Sequence, residues 1–163
     1  MLHIQNMFVD NIRIFARAGK GGNGLVSFRR AKFVPKGGPD GGDGGDGGSV
    51  ILEVDPHTND LRSFFYDPKL IATDGVGGQS AKKHGKNGKS VIGKVPPGTI
   101  IYRSNASSMA EATWLEREGE GIELEKIADL TEIGTRFTLC QGGIGGKGNW
   151  HFRSATNQAP TEA

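Results

Sequence analysis

The chain has 163 residues and a nearly balanced charge, with 20 Lys and Arg against 18 Asp and Glu, and its length fits one ordinary domain. No apolar run approaches the roughly 18 residues that span a membrane, and the amino-terminal sequence lacks the features of a secretory signal. The single cysteine, Cys140, excludes an internal disulfide, and we expect a cytoplasmic protein without an integral membrane segment.

Residues 12–18 form the first predicted element. Ile12 and Ile14 alternate there with Arg13 and Arg17. This period of two predicts a half-buried β-strand.

A glycine-rich stretch, KGGPDGGDGGDGGS, follows at residues 36–49. Two residue types recur in it every three positions, namely Gly38, Gly41, Gly44 and Gly47, and Asp40, Asp43 and Asp46. A period of three is typical of polyproline II, which leaves its backbone donors and acceptors free for neighbouring chains. We therefore expect extended segments packed side by side, with the aspartates pointing to solvent or capping amides.

Several pairs of short β-strands are predicted between the glycine tracts. Each pair is joined by turn residues and is predicted to form a hairpin, and the three pairs are 49–54 with 62–66, 90–95 with 99–102, and 128–134 with 135–140. Seven or eight short strands favour an all-β sandwich or barrel.

Residues 107–121 depart from this pattern. They open with a capping-box spacing of Ser108 and Glu111, which predicts a short helix or an acidic loop. We interpret the surrounding stretch, 104–125, as a solvated acidic insertion between two strands.

Three more glycine tracts lie at 19–24, 75–78 and 142–148. The last contributes the candidate structural glycines Gly142, Gly143, Gly145 and Gly146. We expect one glycine-rich lobe built from about 19–48, 75–90 and 142–155, with the β-barrel formed by the remainder. Flexible linkers are the alternative interpretation.

The sequence contains no clear motif for catalysis, metal binding or nucleotide binding. GKNGKS at 85–90 resembles the end of a phosphate-binding loop, but Lys83 stands where that motif needs its first glycine. The four histidines lie in different segments without ligand spacing. No catalytic, metal or nucleotide site is predicted in this chain.

Three acid-free segments combine basic and aromatic side chains, at 27–38, 80–90 and 145–154. Cations neutralise phosphates and aromatic faces stack on unpaired bases, which favours RNA as the ligand. Ordinary solvated loops are the alternative. The candidate RNA-binding residues are Arg29, Arg30, Lys32, Lys36, Lys82, Lys83, His84, Lys86, Lys89, Lys147, Trp150 and Arg153.

Several ordered motifs together resemble the N-terminal domain of Obg-family GTPases. They are FVDNIRIFARAGKGGNGLVSFRRAKFVPKGGPDGGDGGDGGSV, KVPPGT, ADLTE and QGGIGGKGN, and the resemblance runs from about residue 7 to residue 160. It implies a single Obg domain over 1–163, an eight-stranded β-barrel with a projecting glycine-rich lobe of polyproline II helices. The residues before Met7 and the acidic insertion depart from the family pattern.

The resemblance also implies a function. The 163-residue chain would be a non-enzymatic fragment without cofactor, and the whole protein would carry a C-terminal GTPase domain that binds GTP or GDP with magnesium. That protein would act in late assembly of the large ribosomal subunit, with the lobe tips on ribosomal RNA near the peptidyl transferase centre. Its partners would be the large subunit, its own GTPase domain and stringent-response proteins.

A second function remains open from the sequence. The barrel and the acidic insertion could dock partner proteins and regulate the attached GTPase domain, while the glycine-rich lobe supports that domain. The basic segments would then be bystanders.

Overall fold

Two units are distinguished in the computed structural model, which describes residues 2–5, 11–106, 110–111 and 123–163. The strand unit comprises residues 1–17, 50–71 and 91–140. The glycine-rich unit comprises residues 18–49, 72–90 and 141–163.

The strand unit contains two β-sheets. In chain order its strands are β1 (Leu2–Gln5), β2 (Asn11–Arg17), β3 (Val50–Val54), β4 (Lys69–Ile71), β5 (Val91–Val95), β6 (Thr99–Ser104), β7 (Leu124–Leu130) and β8 (Arg136–Cys140). One sheet has the order β4-β2-β1-β6-β7 and the other the order β5-β3-β8. β2 pairs with β4, and β3 with β5, in parallel, while the remaining pairs are antiparallel.

Alternating apolar residues on the strands supply the core. Val50, Leu52 and Val54 on β3 are buried, and so are Ile14 on β2 and Ile101 on β6. The prediction of a mostly β protein with little helix is confirmed. No closed barrel is found among the described residues, because the strands lie in two separate sheets.

The predicted strand at 62–66 is wrong, and with it the hairpin to 49–54. These residues form the helix α1 (Arg62–Tyr66). Leu61 and Phe64, three positions apart, are both buried, and the side chain of Asp60 accepts a hydrogen bond from the amide of Arg62. This local turn and the burial of Leu61 and Phe64 outweigh the strand propensity of the aromatic residues.

The other two predicted hairpins are also wrong, although most of their strands exist. β5 and β6 lie in different sheets, as do β7 and β8. The turns between them are present, since Gly98 has φ +85° and Gly134 has φ +83°. β5 and β8 instead both pair with β3, which is distant in the chain from β8, because the partner is chosen by burial of the inner faces.

The acidic insertion lies mostly outside the described residues, and so does the predicted helix or loop at 107–121. β6 and β7 flank it and pair antiparallel, with Ser104 opposite Leu124. The two strands therefore form a hairpin whose connection is the insertion.

The glycine-rich unit is ordered by backbone hydrogen bonds that repeat every three residues. The central segment, 41–48, bonds to four other segments. Gly42, Gly45 and Gly48 donate their amides to the carbonyls of Gln79, Val76 and Thr73, and they accept at their own carbonyls from Leu25, Gly22 and Gly19. Gly44 and Gly47 donate to Gly146 and Gly143, and the amides of Gly85 and Gly88 donate to Asp43 and Asp46.

The close approach of these segments explains many of the glycines. A Cβ at Gly44 would overlap the carbonyl oxygen of Gly22, and similar overlaps with backbone carbonyls occur at Gly41, Gly47, Gly142 and Gly145. A Cβ at Gly143 or Gly146 would lie 2.8 Å from a backbone nitrogen. Gly38 differs, since a Cβ there would meet nothing within 4 Å, so packing gives no reason for glycine at that position.

Among the helices in the described part of the chain, none has the length and apolar character needed to cross a bilayer.

Candidate nucleic-acid interface

A hairpin at residues 27–40 forms the first part of the candidate site. The amide of Asp40 donates to the carbonyl of Ser27, and Arg29 donates to Gly38. The hairpin closes at a tight turn in which Val34 donates to Ala31 over 3.0 Å. Arg29, Arg30, Lys32 and Lys36 are therefore carried on one short ribbon, and all four are exposed.

A second turn, at residues 79–83, lies against this hairpin. Ala81 and Lys82 have positive φ angles of 60° and 57°, and Gln79 and Lys83 pair across the turn. Asp40 joins the turn to the hairpin: its carbonyl accepts from the amide of Lys82 at 2.7 Å, and its carboxylate accepts from the amide of Ala81 and from the hydroxyl of Ser27.

The third part is a short 3-10 helix, Asn149–Phe152. Its first residue, Asn149, is fully buried and forms three hydrogen bonds through its side chain. It accepts from the amide of Gly41 and donates to the carbonyls of Ser27 and Pro160. Asn149 thus anchors the helix beside the hairpin.

These anchors bring basic and aromatic side chains together. Lys82 Nζ lies 5.1 Å from the centroid of the Trp150 ring, and Trp150 is 37% exposed. A cleft of about 710 Å³ beside them is lined by Arg29 and Arg30 from the hairpin and by Ala81 from the turn. We call four of these residues the tip cluster, namely Arg29, Arg30, Lys82 and Trp150. The tip cluster offers cations beside a partly exposed aromatic ring, which also contacts the ring of His151 with 3.8 Å between the centroids.

The remaining sequence-predicted residues lie at other places in the glycine-rich unit. Lys83, Lys86 and Lys89 are exposed and follow one another at three-residue intervals along the segment whose carbonyls accept from Gln79, Val76 and Thr73. Lys86 and Lys89 are therefore one and two repeats away from the turn. Arg153 directly follows the 3-10 helix, and His84 Nδ1 lies 2.6 Å from the carbonyl oxygen of Gly85.

Lys147 belongs to a charged group around Asp43. Its ammonium lies 3.5 Å from the Asp43 carboxylate, and His151 Nε2 lies 2.8 Å from that carboxylate. Burial is the largest single influence on the pKa of Asp43, and it raises this pKa. Hydrogen bonds from the Gly148 amide and from His151, together with the charge of Lys147, lower the pKa by more than burial raises it. The net pKa of Asp43 is therefore below its usual value. Lys147 is thus partly neutralised within the chain.

The aspartates cap amides, one of the two roles expected for them from the sequence, whereas Asn149 is a residue that sequence reasoning missed. Asp43 and Asp46 accept from the amides of Gly148 and Gly145, and Asp40 joins the hairpin to the turn. Their three-residue spacing was a visible signal for capping. Asn149 carries no such signal, since its partners lie far away in the chain.

The described residues contain no cluster of three or more His, Cys, Asp or Glu side chains that could hold a metal ion.

Strand-rich architecture and triplet-spaced glycines with close backbone contacts define a class of proteins built from a β-sheet unit and a hydrogen-bonded glycine bundle. The family model described as GTP1/OBG matches residues 9–163. The chain belongs to the GTP1/OBG family.

Curated relatives agree with this assignment. The chain is similar to "GTPase Obg" of Akkermansia muciniphila, with 99% identity over 157 residues that are 96% of this chain and 45% of that protein. It is 49% identical to "GTPase Obg" of Methylacidiphilum infernorum and 48% identical to that of Nautilia profundicola, covering 94% and 96% of this chain and 43% and 39% of those proteins. The chain therefore spans less than half the length of these relatives.

Proposed function

We propose that this chain is the module through which a GTP-hydrolysing protein of the GTP1/OBG family binds the large ribosomal subunit during its late assembly. The tip cluster and its neighbours contact ribosomal RNA near the peptidyl transferase centre. GTP or GDP and magnesium bind in a separate GTPase domain of the whole protein, which works in the cytoplasm and has stringent-response proteins among its partners. The 163 residues themselves perform no catalysis.

One observation carries this proposal, the convergence of three acid-free segments at the tip cluster. Asp40 and Asn149 hold the hairpin, the turn and the 3-10 helix together, and their own polar atoms are occupied by backbone groups and by the hydroxyl of Ser27. Because Asp40 and Asn149 are tied inside the structure, the outward side chains at this end are mostly cationic or aromatic. Such a surface suits phosphates and unpaired bases.

The architecture is part of the same proposal. The eight strands of the strand unit, which lie in two sheets, correspond to the β-strand part of the Obg domain, and the glycine-rich segments are polyproline II helices. A three-residue repeat of backbone hydrogen bonds supports this, and Gly148 has φ −71° and ψ 159°, close to ideal polyproline II values. A stiff bundle holds its cations in place before RNA binds, which reduces the ordering cost of binding.

The proposed RNA contacts are basic and aromatic residues of the three acid-free segments. Phosphates are bound by Arg29, Arg30, Lys32, Lys36, Lys82, Lys83, Lys86, Lys89, Lys147 and Arg153, and bases stack on Trp150 or His84. Lys147 contributes least, because it already lies beside Asp43.

Salt dependence tests these contacts. Replacing Lys82, Lys83 and Lys86 together by Gln should weaken binding of the 163-residue chain to large ribosomal subunits. Each lost phosphate contact should lower the slope of log affinity against log salt by roughly 0.7 to 0.9. The affinity and its slope can be measured by sedimentation of the chain with purified subunits over a salt series.

A matched control removes the same charge elsewhere. Lys69, Lys94 and Lys126 lie on strands of the strand unit, and their triple Gln variant should keep the wild-type slope. Unchanged binding of the Lys82, Lys83 and Lys86 variant would contradict the proposal.

A protein-docking role is the second candidate, and one observation favours it. Phe65 and Tyr66 on α1 are 72% and 77% exposed, and their rings meet edge to face at 5.6 Å. A cleft of about 350 Å³ beside Phe65 is also lined by Ile12 and Pro68. Exposed aromatic pairs next to a cleft are typical of protein-binding surfaces.

Replacing Phe65 and Tyr66 by Ser separates the two functions. If the strand unit only supports the RNA-binding unit, this variant should bind large subunits as the wild type does. Loss of subunit binding by the Phe65 and Tyr66 variant, with wild-type binding by the lysine variant, would favour protein docking.

A further inference from the structure

We propose that Phe33 is a base-stacking residue, and that it receives one unpaired base of single-stranded RNA. This inference rests on the proposed function and names a contact that it lacks. Phe33 stands at the turn of the 27–40 hairpin, outside the set of residues assigned above to RNA.

The exposure of Phe33 is the first observation. The side chain is 90% exposed, although a buried Phe of this protein, Phe64, is only 4% exposed. The one ring contact recorded for Phe33 in the described part of the chain is Lys32 Nζ, 5.2 Å from the ring centroid. Phe33 therefore contributes almost nothing to the core, and its face is available to a ligand.

The backbone at Phe33 is the second observation. Its φ is +67°, in the left-handed region that favours glycine and asparagine and that a bulky side chain rarely adopts. The turn around it is closed by the hydrogen bond from Val34 to Ala31, and Pro35 restricts Val34 from the other side. A strained and exposed aromatic residue that does not stabilise the fold points to a binding role.

Charge complementarity identifies the ligand. Arg29, Arg30, Lys32 and Lys36 flank Phe33 in the sequence of the same hairpin, and the sequence from 27 to 39 contains no acidic residue. Cations next to a flat apolar ring suit a phosphate joined to a planar base. An unpaired base offers its face, whereas the bases of a duplex are already stacked on one another.

Three substitutions at one position isolate the stacking contact. Phe33→Leu keeps an apolar side chain but removes the aromatic face, and Phe33→Trp enlarges that face. Phe33→Asn removes the apolar side chain and suits the left-handed backbone. Because Asn relieves the backbone strain and little packing is lost, Phe33→Asn should unfold at the same or a higher urea concentration than the wild type, which excludes misfolding as the cause of weak binding.

Affinity is measured with the 163-residue chain and two probes, a 12-nucleotide single-stranded RNA without self-complementarity and the same RNA annealed to its complement. Phe33→Leu and Phe33→Asn should bind the single strand about 10-fold more weakly, the magnitude expected for one stacked base. Phe33→Trp should bind at least as tightly as the wild type. Affinity for the duplex and the salt slope for the single strand should stay unchanged, since no cation is removed.

Ile144 provides the matched control. It is 88% exposed in the same unit, and Ile144→Ala should leave the affinity for the single strand unchanged. If Phe33→Leu binds the single strand as tightly as the wild type does, the stacking role is overturned. Salt-dependent RNA binding by the wild type would in that case still support the proposed function. Equal losses on single strand and duplex would also overturn the stacking role.

A membrane is the other partner that an aromatic turn with cations could fit. Vesicles of phosphatidylglycerol and phosphatidylcholine distinguish it from RNA. Vesicle binding that is lost in Phe33→Leu, with RNA binding unchanged, would overturn the proposal. If the wild type binds neither RNA probe nor the large subunit, the proposed function fails together with this inference.

Discussion

The side-chain oxygen of Asn149 accepts a hydrogen bond of 2.9 Å from the amide of Gly41, 108 positions earlier in the chain. The amide group of the same side chain donates to Ser27 and to Pro160 at 3.0 Å each. One buried side chain thus joins the central glycine segment, the basic hairpin and the carboxy-terminal residues. The arrangement of the tip cluster depends on this junction.

Removing the Asn149 side chain should be strongly destabilising. Asn149→Ala leaves the amide of Gly41 and the carbonyl of Pro160 without this partner in a buried place, whereas the carbonyl of Ser27 keeps its hydrogen bond from Asp40. Each unsatisfied group costs about 1 to 3 kcal/mol. We expect a loss of about 3 kcal/mol in the free energy of unfolding, measured by urea denaturation.

Asn87→Ala is the matched control for Asn149. The side chain of Asn87 accepts one exposed hydrogen bond from the amide of Asp46, and water can replace it. The expected cost is about 0.5 kcal/mol. Equal costs at positions 87 and 149 would contradict the role of Asn149 as a junction.

The close packing of the glycine-rich unit predicts a sharp contrast between two alanine substitutions. Gly44→Ala would place a Cβ on the carbonyl oxygen of Gly22, and backbone on both sides must shift, so the loss in unfolding free energy should be at least about 2 kcal/mol. Gly38→Ala should be neutral or stabilise slightly, because the added methyl meets nothing within 4 Å. Thermal unfolding of both variants tests the contrast, and a harmless Gly44→Ala would contradict the packing described here.

Asp43 should make stability depend on pH in the acid range. Its pKa is lowered in the folded chain, where burial is outweighed by hydrogen bonds from Gly148 and His151 and by Lys147. A lowered folded pKa means that the stabilisation is complete above the unfolded pKa of about 3.9 and is lost as the pH falls through the folded value. Asp43→Asn should therefore be less stable than the wild type by about 1 kcal/mol near pH 5. The difference should shrink below about pH 4.

Asp46→Asn is the control for this pH series. Asn still accepts from the amide of Gly145, and no ion pair of Asp46 is recorded among the described residues. At pH 5, Asp46→Asn should lower the free energy of unfolding by less than Asp43→Asn does, as measured by urea denaturation. A stability difference for Asp43→Asn that grows on acidification would contradict the lowered pKa.

Local patterns predicted the parts of the fold that depend on local interactions. The alternation in 12–18 predicted β2, because one face of that strand is buried at Ile14. The triplet spacing in 36–49 corresponds to hydrogen bonds at Gly42, Gly45 and Gly48, since a three-residue repeat presents the same face to each neighbour at every turn. Because glycine has no Cβ, neighbouring backbones can approach closely at these positions.

Long-range choices could not be predicted from the same patterns. β5 pairs with β3, and β6 pairs with β1 and β7, although β5 and β6 are joined by a short turn. Strand pairing is decided by which faces are buried together, and the turn residues carry no such information. Asn149 was missed for the same reason. Its three partners are backbone groups of residues that are not its neighbours in the chain, so no local pattern marks them.

The central claim is that residues 41–48 are the hydrogen-bonded centre of a rigid glycine bundle. Amide hydrogen exchange of the 163-residue chain tests it most directly. The amides of Gly42, Gly44, Gly45, Gly47 and Gly48 each donate to a backbone carbonyl, so they should exchange slowly and lose protection together in Gly44→Ala. Exchange of these five amides at the rate of an unfolded peptide would contradict the account.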